Sequence, residues 1–167
     1  MDCKLRPWKP EDAEQLAAAL NNKNILNNLR DGLPFPYTVT DATEYISATL
    51  AADKNQTYAC AITSGGAVIG SIGVFRKENI HLLTAEMGYY ISEEYWGRGL
   101  GTSAVTQMCK HIFDTTDIVR IFAEPFAHNA ASCRILEKSG LLYEGTLKKN
   151  AVKNGEIIDM KMYALVK

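Results

Sequence analysis

Apolar residues repeat along this chain with two different periods, and the change of period divides it. Near the start, Ala13, Leu16, Ala17 and Leu20 stand at i, i+3, i+4 and i+7. That spacing lays one apolar face along a helix. Residues 9–22 are therefore predicted as helix, with Pro10 in the first turn and acids after it, where the helix dipole favours them. A short strand over 4–8 precedes it, and a second helix over 23–31 follows and stops at Gly32. GLPFPYT comes next and cannot be helical, because prolines on either side of Phe35 push the residues before them toward extended geometry. Thr40 or Asp41 then caps a third helix over 41–52, with Glu44 placed for a capping box.

After this the period shortens. QTYACAITS, AVIGSIGVFR and LLTAEMGYYIS read as three antiparallel strands over 56–64, 67–76 and 82–92. Gly65-Gly66, a pair suited to hairpin turns, joins the first two. A helix over 101–114 follows, its Ala104, Val105, Met108, Cys109, Ile112 and Phe113 forming a wide apolar stripe for packing on the sheet. Then come a strand over 118–126, a helix over 129–140 and a hairpin over 141–166 that pivots on Asn154-Gly155. There is no internal repeat, low-complexity segment or evident linker. The order predicts an α/β fold with a mixed sheet, in one domain spanning 1–167.

Composition narrows the classes. A chain of 167 residues holds one proper core and is short for two. With 18 basic and 19 acidic residues the net charge is −1, which gives no electrostatic footprint for nucleic acid or an anionic membrane. The first residues are polar, and the longest apolar runs fall far short of the roughly 20 needed to cross a bilayer. Cys3, Cys60, Cys109 and Cys133 are scattered with no CxxC pair, so free thiols in a reducing cytoplasm and no metal site are expected.

The candidate chemistry begins at YWGRGLG, residues 95–101, where glycines alternate between a strand and a helix. A P-loop would end in lysine followed by serine or threonine, and this one does not. A dinucleotide fingerprint needs G-x-G-x-x-G in the first βα unit; here Thr102 takes the third glycine's place, after an antiparallel meander. Two readings stay open on spacing: a plain turn, or a pyrophosphate resting on the backbone N–H groups of residues 97–102 at a helix N-terminus.

Farther on, NAASCRILEKSGLLYEG starts on Asn129, sets Ser132 one turn later and closes at Gly140. Together with AEMGYYISEEYWGRGLGTSAV, it resembles the GNAT superfamily of N-acetyltransferases, most nearly the branch of ribosomal-protein N-terminal acetyltransferases. The resemblance covers the whole chain, with Trp96 a mark of that branch where the wider superfamily has Gln or Arg. It implies a mostly antiparallel central sheet flanked by helices, and acetyl-CoA as acyl donor. It further implies that Ile91, Trp96, Gly97, Arg98, Gly99, Leu100, Gly101 and Thr102 hold that donor, with Asn129 and Arg134.

Moving an acetyl group from a thioester to an amine needs a neutral amine, a donor for the oxyanion and an outlet for the thiolate. Neutralising an α-amino group near pH 7 costs about 1.4 kcal/mol, and a lysine about 4.6 kcal/mol. A base therefore matters more than an acid. The resemblance points to Glu86 as that base, against an exposed strand carboxylate paired with lysine; His81 is a weaker candidate. Where many members carry a catalytic tyrosine, this chain has Leu136, so Ser132 takes the thioester-facing role unless it only bonds back to its own helix. Asn129 contacts pantetheine or merely caps the helix, and Cys133 has no partner that would make it a nucleophile. Tyr89 and Tyr90 point to opposite faces of their strand.

Arg30, Phe35 and Tyr90 are the expected acceptor-side residues, with Tyr143 and Asp159 on the other wall of the cleft. The acceptor is a protein N-terminus by the branch resemblance, or else a polyamine, amino acid or aminoglycoside. A CoA-binding sensor without turnover is the rival from another class. Dimerisation is common in the branch.

Overall fold

The structure is a computed structural model that describes residues 2–167. Seven strands form one sheet in the order β1-β2-β3-β4-β5-β7-β6. In chain order these are β1 (Lys4–Arg6), β2 (Thr57–Ser64), β3 (Ala67–Arg76), β4 (Thr84–Ile91), β5 (Arg120–Ala123), β6 (Leu142–Lys153) and β7 (Glu156–Val166). The helices are α1 (Ala13–Leu20), α2 (Lys23–Leu26), α3 (Val39–Ala51), α4 (Leu100–Thr115) and α5 (Ala130–Lys138). Every neighbouring pair is antiparallel except β4 and β5. The order and type of elements are those the sequence predicts.

Strand alternation builds a core on each face. Ile62, Ile72, Val74, Ala85, Met87 and Ile121 face α4 and α5, with Ala104, Val105, Met108, Ile112 and Leu136 packed on them. On the other face Ala61 and Val68 meet Leu16, Leu20, Ala42 and Ile46 of α1 and α3. The apolar stripes of α1 and α4 are buried as their periods require.

Several boundaries differ from the sequence reading, the first helix among them, whose α-helical part is Ala13–Leu20 after a 3-10 turn at Pro10–Asp12; three others have a physical reason in the structure. The third helix begins earlier: Thr38 is its cap, its hydroxyl accepting from the Asp41 amide at 3.2 Å while the Asp41 carboxylate accepts from the Thr38 amide at 2.8 Å. The box is thus Thr38 with Asp41, and buried Tyr37 before it shares a core cluster with Ala42, a hydrophobic staple that fixes the start. The second helix ends at Leu26, because Asn28 and Leu29 bond three residues back in tightening turns. That ending leaves Arg30 and Asp31 outside any helix. Finally, β5 stops at Ala123 rather than continuing to Phe126, since Pro125 has no N–H to give the ladder. Phe126 rejoins the sheet only as an isolated bridge to Met160.

Candidate active site

The parallel ladder between β4 and β5 is short. It pairs Thr84 with Arg120, Ala85 with Ile121 and Glu86 with Phe122, and then stops while β4 runs on to Ile91. Beyond that last pair β4 has no partner on this side, and the sheet is open along the strand. Several residues singled out from the sequence lie along this strand or meet it, on both faces.

At its far end lies the glycine turn. Gly97 and Gly99 have φ of +73° and +76°, and an added Cβ at either would meet no atom within 4 Å. The backbone there is left-handed and faces open space, so both glycines are explained by conformation and by room for something outside the protein. Gly101 has another reason: a Cβ there would come within 2.7 Å of Ile135 Cδ1, so its absence lets α4 and α5 pack closely. Gly99 caps α4 without a side chain, and no acid occupies the first turn. Leu100, Gly101 and Thr102 open the first turn of α4, where backbone amides have no intrahelical acceptor. The Trp96 indole N–H donates to the Ile91 carbonyl at 2.7 Å, tying the turn to the end of β4. The Arg98 guanidinium lies 5.6 Å from the Tyr95 ring centroid.

On the α4–α5 face, Tyr89 of β4 and Ser132 of α5 come together across the opening, their hydroxyls 2.8 Å apart. Burial pushes the Tyr89 hydroxyl well above the ordinary tyrosine range, so it stays a neutral donor. Asn129 caps α5, its side-chain oxygen accepting from the Ser132 amide at 3.2 Å. Leu136 is fully buried in the core and offers nothing polar. Arg134 is exposed beside a shallow pocket of about 440 Å³ that Ala127, Cys133, Lys138 and Lys161 also line.

Glu86 lies on the opposite face. Arg30 Nη2 donates to its Oε1 at 2.5 Å and also reaches Glu124 Oε2 at 3.3 Å. Lys77 Nζ stands 3.8 Å from Glu86 Oε2, so both carboxylate oxygens face a cation. The Arg30 loop is held from the hairpin side as well, by Lys153 on Asp31 at 2.8 Å and by Asn154 on Asn27 at 3.2 Å. Tyr90 packs against the α1–α3 core and its hydroxyl ionisation is raised by burial. Phe35 is exposed, with Lys23 Nζ 5.1 Å from its ring centroid.

Other candidates lie elsewhere. His81 is exposed in a short 3-10 turn before β4, and His128 packs beside Phe126 with centroids 5.7 Å apart. Tyr143 bonds Thr146 at 2.7 Å, and Asp159 accepts from the Lys149 amide and from Lys148, so both are engaged within the final hairpin. Among the described residues, no group of three or more His, Cys, Asp or Glu could hold a metal.

One residue of the site escaped the sequence reading, and another was noted there without a role. Glu124 left no signal, since nothing in spacing connects it to a residue 94 positions earlier. Tyr89 was set on the face opposite Tyr90, and its odd separation of three from Glu86 likewise puts those two on opposite faces; its pairing with Ser132 was not foreseen.

The acetyltransferase (GNAT) domain family matches residues 3–142. The probable N-acetyltransferase YjcK of Bacillus subtilis is 31% identical, over 97% of this chain and 92% of its own. The putative ribosomal N-acetyltransferase YdaF of the same organism is 28% identical, over 98% and 90%. Among solved structures, the ribosomal L7/L12 α-N-protein acetyltransferase RimL in complex with coenzyme A superposes with a TM-score of 0.86, covering 98% of this chain and 93% of that one at 21% identity.

Proposed function

The chain belongs to the GNAT acetyltransferase family and uses acetyl-CoA as acyl donor, and on that premise we propose that its acceptor is a protein N-terminal amine. One observation carries the choice of acceptor. Both oxygens of Glu86 already face cations, Arg30 on one and Lys77 on the other. An ammonium arriving at Glu86 has to compete with them. An α-amino group needs little help, since its neutral form costs about 1.4 kcal/mol near pH 7, against about 4.6 kcal/mol for a lysine-type amine.

Roles follow from the two faces. The amides of Gly97 to Thr102 hold the pyrophosphate at the N-terminus of α4, with Arg98 beside them and Trp96 and Ile91 bracing the turn. Asn129 orients the pantetheine arm, and Arg134 adds charge farther along α5. The thioester reaches the opening beyond Glu86 and Phe122, where Ser132 faces its sulfur from one side. On the other side Glu86 takes the amine's proton through water, and Arg30, Phe35 and Tyr90 shape the acceptor's approach. The amine attacks the thioester directly, with both substrates bound. A second reading, a small polycationic amine, is favoured by Glu124, which with Glu86 makes two carboxylates around Arg30. The four free thiols fit a cytoplasmic setting. Exposed Leu142, Val152 and Ile157 on the outer hairpin suit a homodimer contact.

Two steps test this. Thermal unfolding with acetyl-CoA, NAD and ATP at equal concentration comes first; a ligand at a hundred times its Kd stabilises by about 2.7 kcal/mol. A shift with acetyl-CoA alone supports the donor site, and no shift rejects it. Free-thiol release with an alanine-initiated peptide, set against spermidine, then decides the acceptor. Faster release with spermidine would replace the N-terminal reading by the polyamine one.

A further inference from the structure

A helical serine can return its hydroxyl proton to the carbonyl four residues back. Ser132 does not. Among the described residues its hydroxyl has one partner, the Tyr89 hydroxyl at 2.8 Å. Tyr89 also lies 3.3 Å from the Ser132 carbonyl oxygen, to which a hydroxyl can only donate. The pair therefore has two proton arrangements. With Tyr89 donating to the carbonyl, Ser132 donates to Tyr89. With Tyr89 donating to Ser132 Oγ over the shorter distance, the Ser132 proton is released toward a third group.

We propose that Tyr89 is a positioning residue, which turns the Ser132 hydroxyl proton toward the sulfur of the departing CoA. This rests on the acetyl-transfer reading above. When the tetrahedral intermediate collapses, the C–S bond breaks and its electron pair goes to sulfur. Ser132 donates a hydrogen bond to the new thiolate, and Tyr89 donates to Ser132. No proton crosses to sulfur: ordinary tyrosine and serine hydroxyls hold their protons more tightly than a thiol of pKa about 8.5. The amine's proton leaves on the opposite sheet face, so the products are the amide, the CoA thiolate and one proton. The titratable groups around the pair are Cys133 of α5 and, behind it, Tyr163 of β7, whose hydroxyl donates to Glu137 at 2.8 Å. The β4 carboxylate, Glu86, faces the other way, toward Arg30, Lys77 and Glu124.

CoA itself reports the arrangement, without any acceptor. The ultraviolet absorbance of its thiolate is titrated in complex with wild type, Tyr89→Phe, Ser132→Ala and the double variant. Matching complexes with dethio-CoA are subtracted, which removes the protein's own thiols and tyrosines. The wild-type complex is expected to hold a more acidic thiol than free CoA. Tyr89→Phe keeps the buried ring and is expected to lower that acidity about three- to tenfold, the size of one neutral hydrogen bond. Ser132→Ala is expected to lower it at least as far, with the double variant no worse than Ser132→Ala. A Tyr89→Phe complex that titrates like wild type overturns the proposal, as does an effect that adds in full to Ser132→Ala. Wild-type protein that fails to bind CoA overturns the acetyl-transfer reading, and this inference with it.

Discussion

Replacing Gly99 by alanine separates a ligand cradle from an ordinary turn. Gly99 has φ of +76°, and its added Cβ would project into space where no protein atom lies within 4 Å. The left-handed conformation costs an L-residue about 1–2 kcal/mol. Loss of unfolded-state freedom offsets roughly 0.4–1 kcal/mol of that. The folded protein should lose about 1 kcal/mol, a fall in Tm of about 2–4 °C for a chain of this size. Binding should suffer more. A hydrogen bond to a charged group is worth about 1.5–3 kcal/mol, so a methyl that blocks one amide from the pyrophosphate raises the acetyl-CoA Kd about 10- to 150-fold. Isothermal titration of acetyl-CoA measures this. Gly101→Ala is the control: its new methyl meets Ile135 Cδ1, the flexible end of a side chain, and points away from the turn. Its Kd should stay within about threefold of wild type, under roughly 0.7 kcal/mol. A folded Gly99→Ala protein that binds acetyl-CoA within about twofold of wild type would refute the cradle.

Three further outcomes are expected. Glu86→Gln should lower kcat roughly a hundredfold while leaving the acetyl-CoA Kd unchanged, and an unaltered pH–rate profile would remove the base role. Asp12, buried under α1 and held by Arg6 at 2.7 Å, has its carboxyl below the ordinary range, chiefly through that bond. Because the folded value is the lower one, its stabilisation is full above about pH 4 and fades as pH falls through the folded value, and Asp12→Asn should cost about 2 kcal/mol at neutral pH and progressively less below about pH 4; melts at pH 7 and at acid pH check this. Thr38→Ala should remove the hydroxyl half of the α3 capping box, leaving the Asp41 carboxylate on the residue-38 amide, at a cost of about 1 kcal/mol, read as a fall in Tm of roughly 2–4 °C; an unchanged Tm would return the cap to Asp41.

The backbone features of the proposed donor side were legible in the sequence because their requirements are local. A left-handed turn at a helix start demands glycines at particular positions, and a cap followed one turn later by serine fits on a single helix. Local patterns do not say why each residue is needed. Gly97, Gly99 and Gly101 look alike in the chain, yet the first two face open space and the third faces Ile135 of another helix. The cap of α3 was misplaced for a related reason. Thr38 with Asp41 and Asp41 with Glu44 both make plausible boxes, and burial of Tyr37 beside Ala42, a tertiary fact, selects the first.

On the proposed acceptor side Arg30 and Glu86 were singled out in the sequence, but their pairing was hidden because it is assembled across long separations. Arg30 meets Glu86 from 56 residues away and Glu124 from 94, while Lys153 reaches Asp31 across 122. No periodicity joins such residues; they meet because α2 ends early and because Pro125 turns the chain away from β4. The loop that carries Arg30 is thus strung between the two glutamates and the tip of the β6–β7 hairpin. An acceptor that displaces Arg30 from Glu86 acts on a loop also tied to that hairpin. Changes at Asp31 or Lys153, far from the reacting atoms, should therefore alter acceptor KM while sparing acetyl-CoA affinity, because the bonds that hold this loop run to Glu86, Glu124 and the hairpin tip.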